Sequence, residues 1–245
     1  MGPAIRMLDP RAKLVSCGMN GWNDWDQVVI DGMAAMVDYH SLHIYTGSED
    51  YWTNVMQPHQ AERAIRCSQA LIQRAAYRQK IAVPPRIAYD EWNVWYRNMT
   101  GALEERYNFA DALAVGTYLN IFIRNCDWVR MANLAQMVNA IAPIVTSGDT
   151  AAVQPAANRG LVAITLVNRS PEEAEVAEVL LRDYTFDGPA RIRTVSAVRT
   201  RDARTLPDVE TAQLEEGSEN TKDGVVAVRL PPRSFTVIEA AMTNR

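Results

Sequence analysis

The stretch "RIAYDEWNVWYRN", residues 86–98, sets two carboxylates, Asp90 and Glu91, among Tyr89, Trp92, Trp95 and Tyr96. Aromatic rings beside an acidic pair suit a site for a ring-shaped ligand. An indole can cover the apolar face of a sugar, and a carboxylate can meet positive charge at its anomeric carbon. Upstream, "HSLHIYTG" carries His43 and Tyr45 two residues apart, so on a strand they share a face. Downstream, "WVRMANLAQ" brings Asn133 and Gln136, two amides able to read hydroxyl groups. Each residue also has a plainer reading. Glu91 can be a solvated charge at a strand end, and Trp92 and Trp95 can pack a core or a lid. Asn133 and Gln136 can cap the helix expected after them. His43 has no second histidine at metal-ligand spacing, and His40, three positions away, points to the opposite face of the strand. What favours a site is the joint placement of these groups at successive strand ends, where parallel α/β architectures gather their ligands.

The elements that must position them alternate. "KLVSCG" reads as a strand and "WDQVVIDGMAAMVDY" as a helix; "HSLHIYTG" is a second strand, followed by the helix "HQAERAIRCSQALIQRAAYRQK". In that helix Ala61, Ile65, Ser68, Ile72 and Ala75 form one narrow stripe, with Arg63, Arg66, Gln73 and Arg74 on the side left to water. Pro84-Pro85 stops any helix before the strand "RIAYDEW", which Glu91 ends, with Asn93 and Trp95 continuing into a loop. "LEERYNFADALAVGTYLNIFIRN" is a mostly apolar helix, "WVRMANLA" a fourth strand, and "MVNAIAPIV" begins another helix. Parallel strands are expected near residues 13–17, 40–45, 86–91 and 128–133. Beyond Thr150 the pattern becomes short Val- and Ile-rich runs: "GLVAITLVN", "EVAEVLL", "ARIRTVSAV", "GVVAVRL" and "SFTVIEAA". Pro, Gly, Asn and Asp separate them, as in an antiparallel sheet region. The expected domains are residues 1–150 and 151–245.

The net charge of −4 and the scattered arginines give no footprint for nucleic acid. Cys17, Cys67 and Cys126 are odd in number and far apart, which suits neither a disulfide framework nor a zinc site. No apolar run reaches the ~20 residues of a membrane span, and "MGPAIRMLDP" lacks the apolar core of a signal peptide. Secretion and cytoplasmic residence both stay open. Sequons occur at Asn98-Met-Thr and Asn168-Arg-Ser.

"YDEWNVWY" resembles the nucleophile segment of the α-L-arabinofuranosidases of glycoside hydrolase family 51. "IRMLDPRAKLVSCG", "YHSLHIYTG", "VRMANLAQMVNAIAPIV" and "LPPRSFTVIE" are similar to other family segments, nearest to fungal members. The resemblance implies an α/β plus all-β chain: the second half of a (β/α)8 barrel followed by an antiparallel β-sandwich. It implies Glu91 as nucleophile, Tyr45 as the residue that hydrogen-bonds it, and Trp95, Gln136, His43 and Asn133 as sugar-site residues. No metal or organic cofactor is implied; the implied partner is an arabinofuranosyl oligo- or polysaccharide, and full-length relatives can be homo-oligomers. The family's acid/base is the Glu of an Asn-Glu pair on an earlier strand, which has no counterpart here, so the chain reads as a fragment. Rival expectations are an endoglucanase or xylosidase on the same barrel, and an inactive product that binds sugar or a partner subunit.

Overall fold

The computed structural model describes residues 2–96, 107–136, 141, 146–147, 150–151, 161–180, 184–197, 212–221 and 224–244. The chain divides into two compact units: residues 1–47, 57–105 and 121–143 make the first, and residues 48–56, 106–120 and 144–245 the second.

In the first unit β1 (Val15–Ser16), β2 (Tyr39–Thr46), β3 (Arg86–Val94) and β4 (Val129–Leu134) form one sheet in that order, every pair parallel. Its helices are α1 (Gly2–Leu8), α2 (Asp24–Met33) and α4 (His59–Gln79). The four expected strands are present, as strand–helix alternation requires. α2 begins at a capping box: Asn23 Oδ1 accepts from the Trp25 amide at 3.0 Å, and Asp26 reaches back to the Asn23 amide at 3.3 Å. It stops at Met33, short of the expected Tyr39. Beyond its end Asp38 anchors the chain: its carboxylate binds the Leu14 amide at 2.8 Å, Arg6 at 2.6 Å and Lys13 at 3.1 Å. That anchor fixes the chain beside β1 before β2 begins. α4 buries Ala61, Ala64, Ile65, Ser68, Ile72 and Ala75, the expected stripe with one addition. Arg74 departs from its expected exposure, being half-buried and ion-paired with Asp31 at 2.6 Å. The helix ends at Lys80 in the left-handed region, φ 57°.

β3 runs three residues past Glu91, to Val94, so Glu91 lies inside the strand rather than at its end. Ile87, Ala88, Tyr89, Trp92, Asn93 and Val94 are all buried, as befits a central parallel strand. Trp92 is core: its ring meets that of Phe122 at 5.0 Å and 78°, next to Tyr89, which meets the same ring at 4.7 Å.

The second unit takes α3 (Tyr51–Met56) and most of α5 (Phe109–Arg124). Asn108 caps α5 by accepting from the Ala110 amide at 2.8 Å, and Asp111 returns a bond to the Asn108 amide at 2.7 Å. β5 (Thr146–Ser147) pairs with β6 (Thr150–Ala151). The helix expected from "MVNAIAPIV" falls almost wholly outside the described residues. Then come β7 (Leu161–Asn168), β8 (Glu175–Leu180), β9 (Tyr184–Ala197), β10 (Ala212–Glu219), β11 (Val225–Leu230) and β12 (Ser234–Asn244). One antiparallel sheet has the order β10-β9-β12-β7; a second pairs β11 with β8.

Period-2 alternation lets the larger sheet bury both faces. Ile164 and Leu166 of β7, Ile192 of β9 and Ile238 of β12 join Val226, Val228 and Leu230 of β11 and Ala177 and Val179 of β8 in one core. Val167 and Val195 turn the other way and meet Val55, Phe109 and Leu113 from α3 and α5. Asn168 is buried at the end of β7, and its Nδ2 donates to the carbonyls of Glu173, Leu230 and Pro231. Its sequon is thereby spent on structure, since the nitrogen a glycan would need is enclosed. Asn98, the other sequon residue, lies outside the described residues.

Candidate active site

The carboxylate pair sits on a bulge. β2 and β3 pair Ser41 with Ala88 and then His43 with Glu91, so β3 spends one more residue than β2 on that interval. The pairing of β3 with β4 shifts over the same residues, between Tyr89 and Trp92. In a regular strand Asp90 and Glu91 would point to opposite faces. The extra residue breaks that alternation, and both carboxylates approach His43. Its Nε2 is 3.1 Å from Asp90 Oδ1, and its Nδ1 is 3.9 Å from Glu91 Oε2.

Ser41, His43 and Tyr45 occupy alternate positions on β2 and all reach this pair. Ser41 donates its hydroxyl to Asp90 Oδ1 at 2.6 Å and stands 2.8 Å from His43 Nε2. Tyr45 donates its hydroxyl to Glu91 Oε2 at 2.7 Å. The Trp95 ring meets Tyr45 edge-on, centroids 5.1 Å apart at 71°. Trp95 is held from behind by its own amide, which donates to the Thr46 carbonyl at 2.6 Å. A side chain on Gly47 would begin 2.9 Å from the Trp95 carbonyl oxygen, so glycine there permits the close approach of the two strands' ends.

Electrostatics separates the members of the cluster. Burial pushes the Asp90 carboxyl up, but the bonds from His43 and Ser41 outweigh it and hold Asp90 below the usual carboxylate range. The bond to Asp90 raises His43 above the ordinary histidine value; burial opposes this, and the charges of Glu91, Asp90 and Asp26 add to it. Burial, the bond to Glu91 and the nearby carboxylates raise the Tyr45 phenol strongly, so it keeps the proton it donates.

Beneath the site lies a second polar cluster. Asp26, fully buried, accepts from the amides of Met19 at 2.7 Å and Gly21 at 2.9 Å, and contacts His40 Nε2 at 3.1 Å. His40 Nδ1 in turn meets Ser16 Oγ at 3.0 Å. Asp26 thus shapes the loop after β1, and that loop accepts the His43 amide at the Met19 carbonyl, 2.6 Å. Burial raises the Asp26 carboxyl, but the bonds from His40, Met19 and Gly21 together leave it lowered. A Cβ on Gly18 would sit 1.8 Å from the Ser41 carbonyl oxygen, so this loop can lie against β2 only with glycine there.

The structure therefore joins Glu91, Tyr45, His43 and Trp95. Asn133 lies within β4 and Gln136 beyond its end; both are exposed, and among the described residues no hydrogen bond ties either to Glu91. Ser41 joins the cluster without being among the expected site residues, and Asp90, expected only as half of an acidic pair, takes its place beside His43. Ser41 had a usable signal, since it shares the period-2 face of His43 and Tyr45. Asp90 is visible in the sequence as the acidic neighbour of Glu91, but its turn toward His43 is not, because a regular strand would point it away from Glu91. Among the described residues no group of His, Cys, Asp and Glu is arranged to hold a metal ion. No helix among them is long and apolar enough to cross a membrane.

A parallel sheet with a tyrosine-bound carboxylate toward the far ends of its strands has the form of an α/β ligand site. Residues 90–157 match the family model described as the alpha-L-arabinofuranosidase C-terminal domain. Over 167 residues the chain is 39% identical to alpha-L-arabinofuranosidase C of Emericella nidulans, a match covering 60% of this chain and 32% of that protein. It is 34% identical over 164 residues to an intracellular exo-alpha-(1->5)-L-arabinofuranosidase of Halalkalibacterium halodurans, covering 59% of this chain and 33% of that one. The fold is similar to that of an alpha-L-arabinofuranosidase from Thermotoga maritima solved with arabinose, with TM-score 0.82 at 22% identity over 98% of this chain and 60% of that chain. The chain is thus similar to α-L-arabinofuranosidases, and it spans about a third of the length of the curated relatives it matches.

Proposed function

We propose that the chain carries the nucleophile side of a retaining α-L-arabinofuranosidase site. In this reading the parallel β/α units belong to a (β/α)8 barrel and the antiparallel sheets to a β-sandwich domain. The observation that carries it is the 2.7 Å bond from the Tyr45 hydroxyl to Glu91 Oε2, within the strand segment most similar to the family's nucleophile motif. Glu91 attacks the anomeric carbon, the glycosidic bond breaks, and water later releases the sugar from the glycosyl-enzyme. Tyr45 fixes the attacking carboxylate, Trp95 walls the sugar, and Gln136 and Asn133 offer amides to its hydroxyls. The named activities of the relatives point to terminal α-L-arabinofuranosyl groups as substrate, carried on arabinan, arabinoxylan or their oligosaccharides.

A retaining site also needs a second carboxyl, protonated and ~5 Å away, to help a poor leaving group depart. Asp90 is unsuited to that task, because its hydrogen bonds to His43 and Ser41 favour the ionised form. Aryl arabinofuranosides with good leaving groups need no such proton, so they are the substrates to use. The chain should release the aryl group in a slow burst, Glu91→Gln should abolish the burst, and aryl glucosides and xylosides should give none. A burst that persists in Glu91→Gln would remove Glu91 from the role. Binding of arabino-oligosaccharides without any aryl release would replace catalysis by a binding function.

A further inference from the structure

We propose that Asp90 is a positioning residue: with Ser41 it locks the His43 ring so that Nδ1 faces Glu91, making His43 the cation shared by the two carboxylates. The proposal deepens the catalytic reading above, and it rests first on the bulge. By placing Asp90 and Glu91 on one side of β3, the bulge brings together two anions that a regular strand would keep apart. Among the described residues His43 lies between them, with Asp90 Oδ1 at 3.1 Å from one ring nitrogen and Glu91 Oε2 at 3.9 Å from the other.

The tautomer follows from hydrogen counting. Ser41 has one hydroxyl hydrogen and gives it to Asp90 at 2.6 Å, so its oxygen can only accept from His43 Nε2 at 2.8 Å. Nε2 therefore carries hydrogen in either charge state, and the titrating proton is the one on Nδ1, which faces Glu91. His43 is approached by Asp90 and Glu91 from β3 and feels Asp26 from α2, while its neighbour on β2, Tyr45, keeps its proton and adds no charge. Among the described residues these charges facing the ring are all negative, which favours the imidazolium. When Glu91 is glycosylated its charge disappears, and His43 is then left with Asp90 and the more distant Asp26. The cation therefore stabilises free Glu91, the leaving carboxylate of the second step, more than the ester form.

The test needs no turnover. The chain has three histidines, His40, His43 and His59, and the ring signals of ¹⁵N-labelled protein can be followed by NMR across pH, with His43→Gln supplying the assignment. Neutral His43 should show the Nε2-H tautomer, and its midpoint should lie above the ordinary histidine value of 6.5. Asp90→Asn should lower the His43 midpoint by about one pH unit or more, roughly a tenfold loss of proton affinity. Ser41→Ala should lower it less, Glu91→Gln should also lower it, and Asp90→Glu should restore part of the loss. Backbone amide spectra report whether each variant is folded; if Asp90→Asn is not, Ser41→Ala and Glu91→Gln decide. A His43 midpoint unmoved by Asp90→Asn, or an Nδ1-H tautomer, overturns the positioning role. A midpoint unmoved by Glu91→Gln overturns the link to Glu91. A second readout is the pH profile of aryl release, whose alkaline limb should move to lower pH in Asp90→Asn. Failure of aryl release in the parent chain would count against the catalytic reading alone, because the NMR titration would still stand.

Discussion

Tyr45 and Glu91 make the contact on which the site turns, and its strength can be bounded. A hydrogen bond to a charged group contributes about 1.5–3 kcal/mol. If Tyr45 holds Glu91 in its attacking position, Tyr45→Phe should slow aryl release by about 10- to 100-fold. The ring would keep its edge-on packing against Trp95, so thermal stability should change little by comparison. A loss of stability as large as the loss of rate would show that the tyrosine serves folding instead. At this scale the sequence was legible where period 2 applied: His43 and Tyr45 were placed on one face of β2, and both meet the Glu91 side chain. Legibility stopped at the bulge. Nothing in "YDEW" announces the extra residue that turns Asp90 toward His43, because a bulge is set by pairing with both neighbouring strands. Trp92 and Trp95, alike in type and three apart, also divide only in three dimensions, one into the core and one toward the site.

Helices and strands were read well where burial writes a pattern and poorly where pairing alone supports the element. α4 shows its buried stripe in sequence because one face packs and the other is wet. β10 does not: "AQLEEGSE" is polar and its described residues are exposed, yet it pairs with β9 through eight consecutive positions. The long partner strand supplies the ladder that its own composition does not advertise. β9 was expected to begin at Ala190, but it starts at Tyr184 and passes through Gly188-Pro189. The register with β12 shifts there, and Gly188 adopts φ 80°, so the missing proline N–H falls where the ladder is already interrupted. Gly116 offers an element-scale test. In the interior of α5, Gly→Ala would ordinarily gain about 1 kcal/mol of helix propensity. Here the added Cβ would lie 2.6 Å from the Phe235 ring and 3.2 Å from Val167 Cγ2. Overpacking of this kind costs about 1–3 kcal/mol. Gly116→Ala should therefore lower the unfolding midpoint in denaturant, against the propensity trend. A rise would mean that α5 and β12 separate easily.

Across the whole molecule, the titrating groups define a stability window whose two edges have different owners. Asp26, Asp38, Glu62 and Asp90 are all held below their ordinary values. Each lowered carboxyl contributes stability that is present above its unfolded value, 3.8 for Asp and 4.5 for Glu, and lost as pH falls through its folded value. The effects of Asp38 and Glu62 are weakened by solvent, since their side chains keep 23% and 21% exposure. Asp26 is fully buried and should dominate the acid edge. His43 has the opposite sign: its raised value gives stability that is complete below 6.5 and disappears as pH rises through the folded value. The apparent unfolding midpoint should therefore be highest between about pH 5 and 6.5 and decline on both sides. His43→Gln should flatten the alkaline decline while leaving the acid edge in place. Asp26→Asn should do the reverse and also lower stability throughout, because an amide nitrogen would face donors that now bind a carboxylate. A midpoint that keeps rising from pH 6.5 to about 9 would contradict the cationic His43 between Asp90 and Glu91.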